Sequence, residues 1–194
     1  MESLFIQRLE KLAKSNKNRS LNKLITTFED KSFAVLFLLF MAIPALPIPT
    51  GGVTHIFELI VMLLALEMII GRHTIWLPKR WSNAKLPDKF WAATLPALIR
   101  LIKRLERFTR RRFVNALSYP MTQRLIGIIV LLFALFAFLA PPFSGLDTLP
   151  SLGIVLIALS LLFEDSLLLL IGFIVGCTGI GLVIFLGKAV FTLI

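Results

Sequence analysis

The stretch Leu167–Gly187 runs for 21 residues without a charged side chain. As an α-helix it spans about 30 Å, the thickness of a bilayer's hydrocarbon core. A second stretch, Leu125–Ala140, is free of charge for 16 residues and lengthens if Pro141–Phe143 continue it into the interface. Segments like these admit few folds. In lipid every backbone N–H and C=O must find its partner within the chain, which leaves helices and closed barrels. Composition agrees, with 57% of the 194 residues hydrophobic against about 45–50% in a soluble domain. The expected fold is an all-α integral membrane protein.

The net charge of +10 surrounds the apolar blocks and almost avoids them. Seven lysines and arginines lie between Met1 and Ser32, and thirteen between Gly71 and Arg124. Basic residues on short flanking segments mark the cytoplasmic side. The N-terminus is therefore expected in the cytoplasm. No signal peptide is expected, because the first apolar block begins near Phe33 behind a long charged stretch. The bilayer is the expected partner of these charges. Nucleic acid is not, since the basic residues flank spans and have no stacking platform to present them. Cys177 is the single cysteine, so neither an internal disulfide nor a cysteine metal cluster is expected.

Residues 4–14 predict an amphipathic helix, with Phe5, Ile6, Leu9 and Leu12 on one face. A second is predicted from Asp88 to about Phe113. Its basic face carries Arg104, Arg107, Arg110, Arg111 and Arg112, the pattern of a helix lying at lipid headgroups. The apolar segment Phe33–Ile43 runs into Pro44-Ala-Leu-Pro-Ile-Pro-Thr-Gly51-Gly52, which no regular helix tolerates. Val53–Ile70 is apolar again apart from His55, Glu58 and Glu67. In the second half, Leu125–Ala140 meets another break, Pro141 to Pro150, followed by Leu152–Phe163 and Glu164-Asp165.

The chain repeats itself. Ile6, Arg8, Leu9 and Glu10 recur as Ile102, Arg104, Leu105 and Glu106. Pro141 stands 97 residues after Pro44, and Glu164 stands 97 after Glu67. Two homologous halves are expected, residues 1–97 and 98–194. The first holds a broken hairpin over 33–70. The second holds one over 125–163 and a terminal span over 167–187. Phe33–Ile43 is about 16 Å long as a helix, half a hydrocarbon core. Two arrangements fit: a re-entrant hairpin with its tip inside the membrane, which is favoured, or two short irregular spans. Paired broken segments in matching places of two halves are the usual pointer to a transporter site.

Three elements resemble the ExoD family of bacterial inner-membrane proteins associated with exopolysaccharide synthesis. They are Pro44–Gly52 leading into an apolar helix, Gly71-Arg72-His-Thr-Ile-Trp76-Leu-Pro78, and the second Pro break running to Glu164-Asp165. The family often has glycine where Ser166 follows Asp165 here. The resemblance covers about residues 5 to 190. It implies an inner-membrane location and exopolysaccharide machinery as a partner, and it supplies no reaction.

Candidate binding residues are His55, Glu58, Glu67, Glu164, Asp165 and the break residues Pro44, Gly51, Gly52 and Pro141. A carboxylate within a span is costly and usually has a partner or a task. His55 and Glu58 share a helix face. They suit a proton or cation relay, or a hydrogen bond to the open backbone of the break, which is slightly favoured. Asp147 reads as a turn residue before a functional one. Arg72 is expected to reach lipid headgroups. No H-E-x-x-H, G-x-S-x-G or P-loop is present, so no enzyme, metal or cofactor is expected. Gly172, Gly176, Gly179 and Gly181 offer a helix contact for a homodimer. The expected function is a small transporter or channel-like protein supporting exopolysaccharide synthesis, with a non-catalytic partner of that machinery as the alternative.

Overall fold

The computed structural model describes residues 31–46, 53–72, 119–141 and 144–193, with positions 75, 96, 99, 100 and 103. The side chains of Val53 and of 187–193 lie outside that description. So do the helix expected over 4–14, most of the one expected over 88–113, Arg104, Arg107, Arg110, Arg111, Arg112, Gly51 and Gly52. The chain divides into two compact units. Met1–Ser32 and His73–Arg110 form one, and Phe33–Arg72 and Arg111–Ile194 form the other. Isolated positions alone are described in the first, so the architecture below is that of the second.

The described regular structure is helical: α1 (Ser32–Met41), α2 (Val53–Ile70), α3 (Pro120–Leu139), α4 (Thr148–Phe163) and α5 (Ser166–Leu193). Helix α1 is apolar on every side and buried along nearly its whole length. It ends just before Pro44, whose ring disfavours helix in the residue ahead of it. Pro120 opens α3 at a first-turn position, where a missing N–H costs nothing. Ala140 caps α3 in an extended conformation ahead of Pro141.

Two boundaries differ from expectation. Helix α3 starts five residues ahead of Leu125 and so takes in Arg124, which an exposed first turn accommodates. Helix α4 starts at Thr148, with Pro150 inside its first turn. The second break is therefore shorter than the Pro141–Pro150 span suggested, because proline is tolerated in a first turn.

Helices α2 and α3 pack antiparallel over most of their length. Gly127 of α3 lies against Ala65 and Ile69, and Arg124 lies against Gly71 just past the end of α2. Gly71 has φ +84. Its N–H donates to the Met68 carbonyl, and the Arg72 N–H donates to that of Glu67. This is the paired closure that glycine favours after a helix. At the other end of the pair, the His55 ring packs on Phe138, with centroids 5.3 Å apart. Both Pro/Gly breaks therefore lie at one end of the α2–α3 pair.

Helices α4 and α5 are also antiparallel and approach closely. A Cβ on Gly153 would come within 2.7 Å of the Gly176 Cα. Gly172 lies against Ile157, and Gly179 against Pro150. The contact offered for a homodimer is thus largely used inside the chain: Gly172, Gly176 and Gly179 seat α4, and Gly181 alone of the four meets open space.

The polar pattern is the reverse of a soluble core. Thr54, Glu58, Ser151, Ser160 and Asp165 are buried. Ile56, Leu59, Leu63, Leu66 and Ile70 form an exposed stripe down α2. Pro120–Leu139 and Ser166–Leu186 are long and apolar enough to cross a membrane, and 17% of the α5 window is buried in the chain. An apolar surface of that extent is rare on a soluble monomer. The exposed Thr178 hydroxyl donates to the Ile174 carbonyl at 2.9 Å, the usual way to satisfy it without water. Lipid is the solvent these apolar faces match.

Candidate functional site

The end of the bundle that carries both breaks also gathers the unsatisfied polar groups. Glu58 lies one turn and a residue into α2, and its side chain is 0% exposed. His55 lies three residues before it, on the same face. Its side chain is 25% exposed, and Nδ1 stands 3.3 Å from Glu58 Oε2. That approach lacks the alignment of a hydrogen bond: His55 Nδ1 and both Glu58 oxygens have no hydrogen-bond partner among the described residues. The open backbone of the first break over 47–52, to which a bond from this pair is slightly favoured from sequence, lies outside the described residues.

Asp147 approaches from the second half. It is the residue before α4, and its carboxylate makes no capping hydrogen bond. Pro150 occupies the third helical position, where an aspartate cap would look for an N–H that proline lacks. The Asp147 carboxylate lies within electrostatic reach of both Glu58 and His55. Burial raises the Asp147 carboxyl above its ordinary value, opposed by the N–H groups of Asp147 and Thr148 and by the nearby His55. Ser151, one turn further along α4, is fully buried with its hydroxyl unpartnered among the described residues.

The residues proposed from sequence separate into two places. His55 and Glu58 lie at the break end. Glu67 is nine residues further along α2, about 13 Å away by helical rise, and half-buried. Glu164 and Asp165 close the far end of α4. Asp165 has a structural task, because its Oδ1 accepts from the Leu167 N–H at 2.9 Å and caps α5. Glu164 takes the left-handed conformation at φ 57 to end α4. Pro44 is buried in the turn after α1, and Pro141 is exposed after α3. Arg72 is exposed.

Asp147 and Ser151 are the residues that sequence reasoning undervalued. Ser151 had a usable signal: it stands 97 residues after Thr54, and each is a buried hydroxyl in the first turn of a helix that follows a Pro/Gly break. Asp147 had none, since nothing local distinguishes it from a turn residue.

The site holds the His55 imidazole and the Glu58 carboxylate, with the Asp147 carboxylate within electrostatic reach. Among the described residues, no three His, Cys, Asp or Glu side chains converge as a metal's ligands would. What the group can do chemically is accept, hold and release a proton or take the polar part of a small solute.

The family model described as "Exopolysaccharide synthesis, ExoD" matches residues 5–185. An uncharacterized protein of Synechocystis sp. is 26% identical over 149 residues, 77% of this chain and 69% of that one. Protein ExoD of Rhizobium meliloti is 24% identical over 157 residues, 79% of this chain. The chain spans 64% of the length of that relative. No solved structure matches this chain.

Proposed function

The chain belongs to the ExoD family, and from that premise we propose that it is an inner-membrane protein supporting exopolysaccharide synthesis as a small transporter or channel-like protein. Its site is the group His55, Glu58 and Asp147, at the end of the bundle where α2 begins and α3 ends. One observation carries the reading. A fully buried carboxylate on α2 has neither oxygen hydrogen-bonded among the described residues, and a carboxylate from the other half lies near it. Such a group in lipid is expensive and marks a substrate or ion path. A purely structural carboxylate would be hydrogen-bonded.

The two halves arise by duplication, and their basic flanks stay in the cytoplasm. That orientation puts the breaks toward the opposite face. Cysteine labelling tests the path. With Cys177 replaced by alanine, Thr148→Cys is expected to react with a membrane-impermeant thiol reagent from the outer face alone. A cysteine at position 148 that is sealed from both faces would end the transport reading. In cells lacking the gene, Glu58→Gln is expected to reach normal membrane levels yet leave exopolysaccharide output at the level of the deletion. Full restoration by that variant would remove the site from the function.

A further inference from the structure

We propose that the break end of the bundle stops short of the far membrane surface, beneath a water-filled recess walled by the end of α5, so that the site takes a small water-borne solute and not a lipid-borne one. The inference deepens the transport reading above and rests on it for the use of the site.

The register of α4 on α5 sets the heights. Ile157 lies against Gly172, Gly153 against Gly176 and Pro150 against Gly179. Each step back along α4 is matched by an equal step forward along α5, so the start of α4 stands beside Leu182 or its neighbour. Helix α5 does not stop there but continues to Leu193. The overhang is about 16 Å long by helical rise. Below it, α5 has a buried side at Gly172, Gly176 and Gly179. Within it, Leu182, Ile184, Phe185 and Leu186 are all exposed, so the helix there has no neighbour among the described residues on most of its circumference.

Charges fix the depth. Arg72 and Arg124 lie at the end of the α2–α3 pair away from the breaks, and Glu164 and Asp165 at the matching end of α4 and α5. The next charge along α5 is Lys188, 23 residues after Asp165, or about 34 Å of rise. Helix α5 therefore reaches from one interface to the other across a core of about 30 Å. Its neighbours do not. Helix α4 has 16 residues, about 24 Å of rise, and α3 rises about 22 Å from Arg124 to Leu139. With the charged end at one interface, the break end stops about 6–8 Å short of the other.

The second break is polar and uncovered at that depth. Ser144 and Gly145 are exposed. The Ser144 hydroxyl donates to the Pro141 carbonyl at 2.6 Å and accepts from the Leu146 N–H at 3.2 Å. Gly145 has φ +69, and no described atom comes within 4 Å of where its Cβ would stand. Irregular backbone inside the hydrocarbon layer persists only against protein or water. The far aqueous phase is a few ångströms away, and water is the occupant that matches these groups. His55 stands at this end, packed on Phe138, with a quarter of its side chain exposed while Glu58 is enclosed. A solute entering through the recess meets the imidazole first. A solute carried in lipid would need an apolar doorway, and the exposed break offers a polar one.

The test uses spin labels on the full-length protein in lipid nanodiscs, with Cys177 replaced by alanine. Collisions with oxygen, which concentrates in lipid, are compared with collisions with a water-soluble nickel chelate. Ser144→Cys, the deeper position, is expected to favour the nickel probe several-fold over Phe185→Cys, which lies nearer the far surface on the side of α5 away from α4. Leu186→Cys, two turns beyond Gly179 on the side that faces α4, is expected to report water while its neighbour Phe185→Cys reports lipid. That pair decides the matter if Ser144→Cys does not insert. Oxygen-dominated collisions at 144 and 186 would mean a lipid-filled end and overturn the recess. A label at 185 shielded from both probes would put a second copy there and overturn it too. Nickel-dominated collisions at 144 and 185 alike would place the breaks at the surface, which removes the recess and keeps transport. A wet 144 beside a lipid-facing 185, together with full exopolysaccharide output from Glu58→Gln, keeps the recess and removes transport.

Discussion

Helices α2 and α4 each follow a Pro/Gly break, and they are built for different ends. Helix α2 exposes an apolar stripe and buries Glu58 on its inner face. Helix α4 is buried on most sides, between α3 and α5. Val155 stands 97 residues after Glu58 and is buried where the carboxylate would be. The first-turn hydroxyls, Thr54 and Ser151, are kept in both. The two helices also stop differently, α2 at Gly71 and α4 at Glu164, both in the left-handed region. The difference teaches that α2 carries the buried acid while α4 is a packed wall, with Asp147 at its start within electrostatic reach of Glu58.

Exchanging the two inner residues strains this comparison most. Val155→Glu places a carboxylate in a packed interface with no donor waiting, and is expected to cost about 3 kcal/mol. Denaturation of the purified protein in mixed micelles would measure it, and an unchanged midpoint would mean that α4 has room α2 was thought to monopolise. Next comes the glycine seam. Gly153→Ala sets a methyl against the Gly176 Cα at 2.7 Å and the Gly172 carbonyl at 2.9 Å. The helices must part, at about 1–3 kcal/mol, read in the same titration.

Helix endings give a smaller effect. Gly71→Ala forces a side chain into φ +84 with Arg124 2.9 Å away, for a loss of about 1–2 kcal/mol. Were the loss absent, the left-handed closure of α2 would be unimportant. The smallest change in stability is expected from Glu58→Val, which removes an unpaired buried acid. It should leave the midpoint unchanged or raise it by about 1 kcal/mol, because apolar replacement of a buried charge is often neutral or stabilising. Exopolysaccharide output should nonetheless fall to the level of the deletion. A variant that is both less stable and fully functional would show that Glu58 serves packing.

Much of this architecture is legible along the chain because its causes are local. Charge-free runs of span length mark α3 and α5, prolines mark where α1 and α3 must stop, and Gly71 marks a left-handed closure. The burial of Glu58 is half legible, since a carboxylate inside an apolar helix signals a cost without naming its partner.

What the sequence by itself determined is the solvent: hydrophobicity sums over a segment and does not depend on neighbours. The positions of the breaks follow as well, because proline acts on its own backbone and the residue before it. Only the tertiary structure decided which polar groups meet. Asp147 comes within electrostatic reach of His55 and Glu58 across some ninety residues of chain because α2 and α3 pack antiparallel. It also decided that the glycines of α5 serve α4, since a bare helix face is equally fit for any close neighbour until one is packed against it.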